Sequence, residues 1–112
     1  MGSSAPLGEF EQLVLLAILR LSEDAYGVTI AGELERRAGR RVSRGALYTT
    51  LDRLETKGLL RWKINAGARE RAELPRRTYA VTTRGLAVLR ASRQVLQRMW
   101  NGLDDLLKEP AS

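Results

Sequence analysis

The sequence predicts a mainly α-helical chain carrying one small β-hairpin, an α+β arrangement that ends in a long helix. Three observations predict it. Apolar residues recur at three- and four-residue spacing in three successive segments, the period then falls to two across a pair of short segments, and a leucine seam follows almost to the end. At 112 residues the chain suits one domain with an appended helix. The expected division is 1–7 as a flexible start, 8–82 as the domain, 83–107 as the helix and 108–112 as a flexible tail.

The first helix is expected from about Gly8 to Leu21. Phe10, Leu13, Val14, Ala17 and Leu21 mark one face, and Leu15, Leu16, Ile18 and Leu19 widen it, so burial on most sides is expected. Ser22-Glu23-Asp24 breaks the pattern as a turn. The second helix runs from about Ala25 to Ala38, with Val28, Ile30, Ala31 and Leu34 as its dry side and Glu33, Glu35, Arg36 and Arg37 as its wet side; Gly39 then ends it. Ser43 is a good N-cap for a third helix ending near Lys57 and Gly58, with Leu47, Leu51 and Leu54 facing the core.

The alternation Leu60-Arg61-Trp62-Lys63-Ile64 then reads as a half-buried strand, with Trp62 filling the core. Thr78-Tyr79-Ala80-Val81 restores the alternation after a polar loop that includes Asn65-Ala66-Gly67-Ala68 and Pro75. From Thr83, read as its cap, the last helix is expected to reach about Leu107. Leu86, Leu89, Arg93, Leu96, Trp100, Leu103 and Leu107 are spaced three and four apart, the a/d seam of a coiled coil with one polar interruption at Arg93. A helix of about 25 residues spans roughly 37 Å, too long to lie wholly on so small a domain. A second copy of the chain is the simplest cover for its apolar edge.

Composition removes most enzyme classes. The chain contains neither Cys nor His, so thiolate nucleophiles, Cys zinc sites, imidazole bases and the Ser-His-Asp triad are all excluded. The carboxylate pairs Glu23-Asp24 and Asp104-Asp105 read as solvated surface. The chain is therefore expected not to be an enzyme, and no cofactor or metal is implied. No apolar run approaches a membrane span, and the start has no signal-peptide pattern, so a cytoplasmic protein is expected.

Net charge is +6, unevenly placed. Residues 1–35 hold one basic and six acidic side chains, residues 36–77 thirteen basic and four acidic, and residues 78–112 five basic and three acidic. A compact central block of cations suits a polyanion partner.

Three helices, two strands and a charged loop between the strands make a helix-turn-helix with a wing, whose third helix would enter a major groove of double-stranded DNA. Opposite the three leucines lie Gly45, Thr49 and Asp52, flanked by Arg44 and Tyr48. Arg44 can bond a guanine edge in bidentate fashion, Thr49 can meet a thymine methyl, Tyr48 can reach a phosphate or base edge, and Gly45 lets the backbone come close. Arg53 suits the sugar-phosphate wall, and Arg40 and Arg41 would lie near the DNA backbone. Arg69, Arg71, Arg76 and Arg77 in the wing would clasp phosphates or enter a minor groove. A winged helix used only as a protein-interaction module is the alternative, and its basic recognition face argues against it.

Three motifs resemble the PadR-like transcriptional regulators: Tyr26-Gly27, the run from Leu47-Tyr48-Thr49-Thr50-Leu51-Asp52-Arg53-Leu54-Glu55 to Gly58-Leu59-Leu60, and Arg76-Arg77-Thr78-Tyr79-Ala80-Val81-Thr82-Thr83-Arg84-Gly85. They occur in the family's order and spacing over roughly residues 8–107. Thr78 replaces one tyrosine of the usual pair, and Pro75 stands where a glycine often precedes the basic pair. The resemblance implies a cytoplasmic homodimer whose last and first helices form the interface, reading a two-fold operator, most often as a repressor released by a small ligand. Specificity would then rest on Ser43, Arg44, Tyr48 and Thr49. Multidrug-sensing relatives carry a tryptophan midway along the last helix. Here Leu96 stands at about that point and Trp100 one turn later. Trp100 reads first as a seam residue packing the dimer; the alternative is a planar small-molecule effector stacked between it, with Leu96 beside it, and its symmetry mate.

Overall fold

Ser43 starts the third helix as its hydroxyl predicts: Oγ accepts a hydrogen bond from the Ala46 N–H at 3.1 Å. The computed structural model describes residues 7–65 and 76–108. Its elements are α1 (Glu9–Leu21), a 3-10 turn at Ser22–Asp24, α2 (Gly27–Ala38), α3 (Arg44–Thr56), β1 (Leu60–Asn65), β2 (Arg76–Val81), α4 (Thr83–Trp100) and a second 3-10 turn at Asp104–Leu107. Arg69, Arg71 and the hairpin tip lie outside the described residues.

The helices start and stop for local reasons. Glu11 Oε1 accepts the Gly8 N–H at 3.0 Å at the head of α1, and Thr29 Oγ1 accepts the Tyr26 N–H at 3.0 Å at the head of α2, in each case a third-residue side chain reaching back to a free donor. Gly39 and Gly58 both take positive φ past the ends of α2 and α3, as expected. The cap of α4 is Thr82 and not Thr83. Its Oγ1 accepts the Gly85 N–H at 3.0 Å and donates to the Gly58 carbonyl at 2.7 Å, so this hydroxyl also ties the helix to the end of α3.

The core forms where the three helices meet the hairpin. Val14, Leu15 and Ile18 of α1, Ile30 and Leu34 of α2, and Leu47, Leu51 and Leu54 of α3 are buried together with Leu60 and Tyr79. Strands β1 and β2 pair antiparallel with Leu60 opposite Val81 and Trp62 opposite Tyr79. The hairpin is fastened on two sides: Tyr79 N–H donates to the Ala25 carbonyl at 2.8 Å and Thr82 N–H to the Leu59 carbonyl at 3.1 Å. The wing is thereby anchored to the chain between α1 and α2.

Several sequence expectations need correction. Leu16 and Leu19 are exposed, so α1 is buried on one side only. Glu33 is buried and not on the wet side of α2, because Arg36 and Arg37 both close on its carboxylate; Val28, assigned to the dry side, is exposed. Trp62 is half-buried at the edge of the core. Leu89 belongs to the protomer's own core and leaves the outer seam.

The last helix is also shorter than expected. It stops at Trp100 because Asn101 leaves the helical region and Gly102 takes φ 85°, where a glycine alone is unstrained. Leu103 and Leu107 therefore lie on a separate turn, and the continuous seam to 107 is broken. Beyond Leu89 the helix has almost no cover: Val95, Leu96, Met99 and Trp100 are exposed, followed by Leu103, Leu106 and Leu107. No helix among the described residues is long and apolar enough to cross a membrane.

Candidate nucleic-acid interface

Burial of Leu47, Leu51 and Leu54 fixes the rotation of α3 and turns Arg44, Gly45, Tyr48, Thr49, Asp52 and Arg53 to the outside. That is the set the sequence singled out around the third helix. Ser43 sits at its tip, its oxygen accepting the cap bond and its O–H still available to donate. Arg44 makes no ion pair among the described residues, and nothing lies within 4 Å of where a Gly45 side chain would start. The first turn of α3 is therefore an open stretch of helix with a guanidinium at its head. Tyr48 is 37% exposed; its ring leans toward α2, with its phenol against Gly27.

Of the wing arginines, Arg76 and Arg77 are already in use inside the molecule. Arg76 lies over the Tyr26 ring, 3.6 Å from its centroid. Arg77 lies over the Trp62 ring at 4.0 Å, with its Nη1 3.8 Å from Asp52 Oδ1 on α3. Both contacts are of the cation–π kind. They place two cations at the start of β2, the end of the hairpin away from Leu60 and Val81; Arg77 there faces Asp52 of α3. Sequence reasoning missed Tyr26 and Trp62 as platforms. The strand register carries a signal for the second: Trp62 opposite Tyr79 puts Arg77 on its diagonal, within reach of a large ring.

Arg40 and Arg41 are not gathered with this group. Arg40 ion-pairs with Glu9 and lies 5.7 Å from the Phe10 centroid, which draws it back onto α1. Arg41 reaches Glu35 at 3.5 Å. The same pattern recurs elsewhere. Lys57 Nζ binds Glu11 Oε2 at 3.0 Å, and Arg37 Nε binds Glu33 Oε2 at 2.5 Å. Four acids of the N-terminal third thus neutralise cations of the central block. On α3 Arg44 and Arg53 are matched in number by Asp52 and Glu55, so the surplus positive charge lies on the hairpin strands, at Arg61, Lys63, Arg76 and Arg77.

These pairings shift the carboxylates. Burial alone would raise Glu11, but the Gly8 N–H and Lys57 outweigh it and hold the group below its ordinary value. Burial would likewise raise Glu33, and Arg37 and Arg36 reverse the sign. Tyr79 moves the other way: burial raises its phenol above the usual value, and the nearby Arg77 offsets only part of that.

The arrangement is a helix-turn-helix with a hairpin wing, presenting an open helix face and stacked cations at the same side. The model of the Transcriptional regulator PadR-like family matches residues 15–91. Among solved structures, the chain is similar to a PadR family transcriptional regulator from Eggerthella lenta, at 31% identity and TM-score 0.65, over 91% of this chain and 88% of that one. A PadR-like transcriptional regulator from Bacillus cereus shares the fold at 24% identity and TM-score 0.71, over 90% and 93% of the two chains. A PadR family regulator from Clostridium difficile does so at 22% identity and TM-score 0.71, over 90% and 100%. No curated protein sequence matches the chain. The family match covers well over half of the chain, takes in all of α2, α3 and the hairpin, and includes the motifs that shape the open face of α3. The chain belongs to the PadR-like family of transcriptional regulators, DNA-binding proteins and not enzymes.

Proposed function

We propose that the chain is a homodimeric repressor that reads a two-fold operator, with α3 of each protomer in a major groove and the wing on the backbone or minor groove. The observation that carries the reading is the first turn and a half of α3. Arg44, Gly45 and Thr49 are exposed on a helix whose rotation the buried leucines fix, and Arg44 is free of ion pairs among the described residues. Arg44 is the base reader, bidentate to a guanine, with Thr49, Tyr48 and Ser43 beside it. Arg53, Arg76 and Arg77 serve the backbone. In the wing Arg69 and Arg71 join them, while Arg40 and Arg41 act only if they leave their acidic partners.

The dimer rests on exposed apolar surface. Leu86, Leu96 and Trp100 of α4, Leu103 and Leu107 beyond it, and Leu16 and Leu19 of α1 are each more than 40% exposed. Apolar surface of this extent on a small protomer marks an interface, and a two-fold contact between identical chains also sets the spacing of two recognition helices. Trp100 and Leu96 are read as seam residues. Such a regulator works in the cytoplasm, where its DNA is.

The test is titration of a random-sequence duplex at several salt concentrations, with molar mass by light scattering. A dimer whose affinity falls steeply with salt is expected. A monomer, or binding that ignores salt, would leave the protein-interaction module as the better reading.

A further inference from the structure

Asp52 is an acid on a face that should avoid one. It is exposed on α3, three residues past Thr49 and four past Tyr48, so it shares their side of the helix. A carboxylate there would face the phosphates of any duplex docked on α3. Its one ion-pair partner among the described residues is Arg77, Nη1 to Oδ1 at 3.8 Å. The Arg77 guanidinium is at the same time stacked on Trp62 at 4.0 Å. The two side chains remain 43% and 67% exposed. An ion pair this open to water is weak, and a DNA phosphate offers the guanidinium stronger, charge-assisted bonds.

We propose that Asp52 is an intramolecular stand-in for a DNA phosphate, holding Arg77 on Trp62 in the free protein and competing with the duplex for it. The proposal rests on the DNA-binding reading above and names an affinity-setting residue within it. Trp62 keeps the guanidinium in place as the partner changes from carboxylate to phosphate, so the exchange needs no large movement of the wing. The competition lowers affinity for every duplex alike, since a phosphate carries no sequence. Asp52 is a positioning residue in this scheme, acting through Arg77 and touching no base.

The test compares Asp52→Asn, Asp52→Glu, Arg77→Ala and the Asp52→Asn/Arg77→Ala double variant. Each is titrated with a random-sequence duplex and with a duplex enriched from a random library, at several salt concentrations. Asp52→Asn should tighten both duplexes by the same factor, up to about fivefold. It should also steepen the dependence of log K on log salt by up to about 0.9, the value for one phosphate. Asp52→Glu should restore wild-type behaviour, and the steepening should vanish when Arg77 is absent. Tightening that persists without Arg77 would overturn the proposal, because Asp52 would then act only by its own repulsion. Loss of affinity for the enriched duplex alone would overturn it too, making Asp52 a base reader. A wild-type chain that binds neither duplex is a different result: it would remove the DNA-binding reading itself.

Discussion

The phenol of Tyr48 on α3 lies against Gly27 at the head of α2, so closely that a methyl group on Gly27 would sit 2.3 Å from the Tyr48 hydroxyl. No real side chain approaches an atom that closely, so glycine and tyrosine here are one device. The contact leans the Tyr48 ring toward α2 and leaves Arg44 and Thr49 as the open residues of the face. It also joins two sequence motifs that are 21 positions apart in the chain, Tyr26-Gly27 and Leu47-Tyr48.

Gly27→Ala should therefore cost little stability and much binding. The atoms that clash are the far end of a ring that can swing outward, so the loss of stability should stay near about 1 kcal/mol, the low end for overpacking. The displaced ring would then stand in the path of the DNA. Thermal melting should shift by a few degrees while duplex affinity falls markedly, and Tyr48→Ala in the same chain should recover part of the affinity. A large loss of stability with unchanged binding would show that the contact serves packing alone.

Arg44→Ala should relax base preference at one position per half-site, by about 1–3 kcal/mol. The measurement is titration of operator duplexes changed one base pair at a time. An equal loss on every sequence would reduce Arg44 to a phosphate contact.

Leu96→Asp and Leu89→Asp should fail differently. Leu96 is half exposed and Leu89 buried in the protomer, so the first should leave a folded monomer and the second an unfolded chain, each through an unpaired charge in an apolar setting. Light scattering with far-ultraviolet circular dichroism separates them. A Leu96→Asp protein that stays dimeric would move the seam to another face.

Acid should destabilise the fold through Glu11 and Glu33. Both carboxyls are held below their ordinary value of 4.5 in the folded chain. Their stabilisation is thus present in full above about that pH and lost as pH falls through the lowered folded values. Thermal midpoints followed from pH 7 to pH 3 should drop across that window, and Glu11→Gln should flatten the drop. A midpoint independent of pH would mean that neither pair stabilises the fold.

Much of this was legible in the chain because short-range rules govern it. Leu47, Leu51 and Leu54 at helical spacing determine which way α3 faces, and the Ser43 hydroxyl and Gly39 fix where α2 ends and α3 starts, so the reading face followed from local pattern. Features set by contacts between distant segments were not legible. Glu33 looked wet because helical periodicity counts charge as outside; the adjacent arginines that neutralise it make its burial tolerable. The stacking of Arg76 on Tyr26 depends on β2 lying beside the segment before α2, which no spacing reveals. The seam through Leu103 and Leu107 failed because the leucine pattern runs through Asn101-Gly102, and the backbone there outweighs the pattern.

The most direct test of the central claim, that the open face of α3 reads a two-fold site, is selection of bound sequences from a random duplex library with the wild-type protein. The expected result is an enriched inverted repeat bound by one dimer, with half-sites about one helical turn apart, roughly 34–36 Å, or a multiple of it. Binding with no enriched sequence, or enrichment of a single unrepeated half-site, would contradict it.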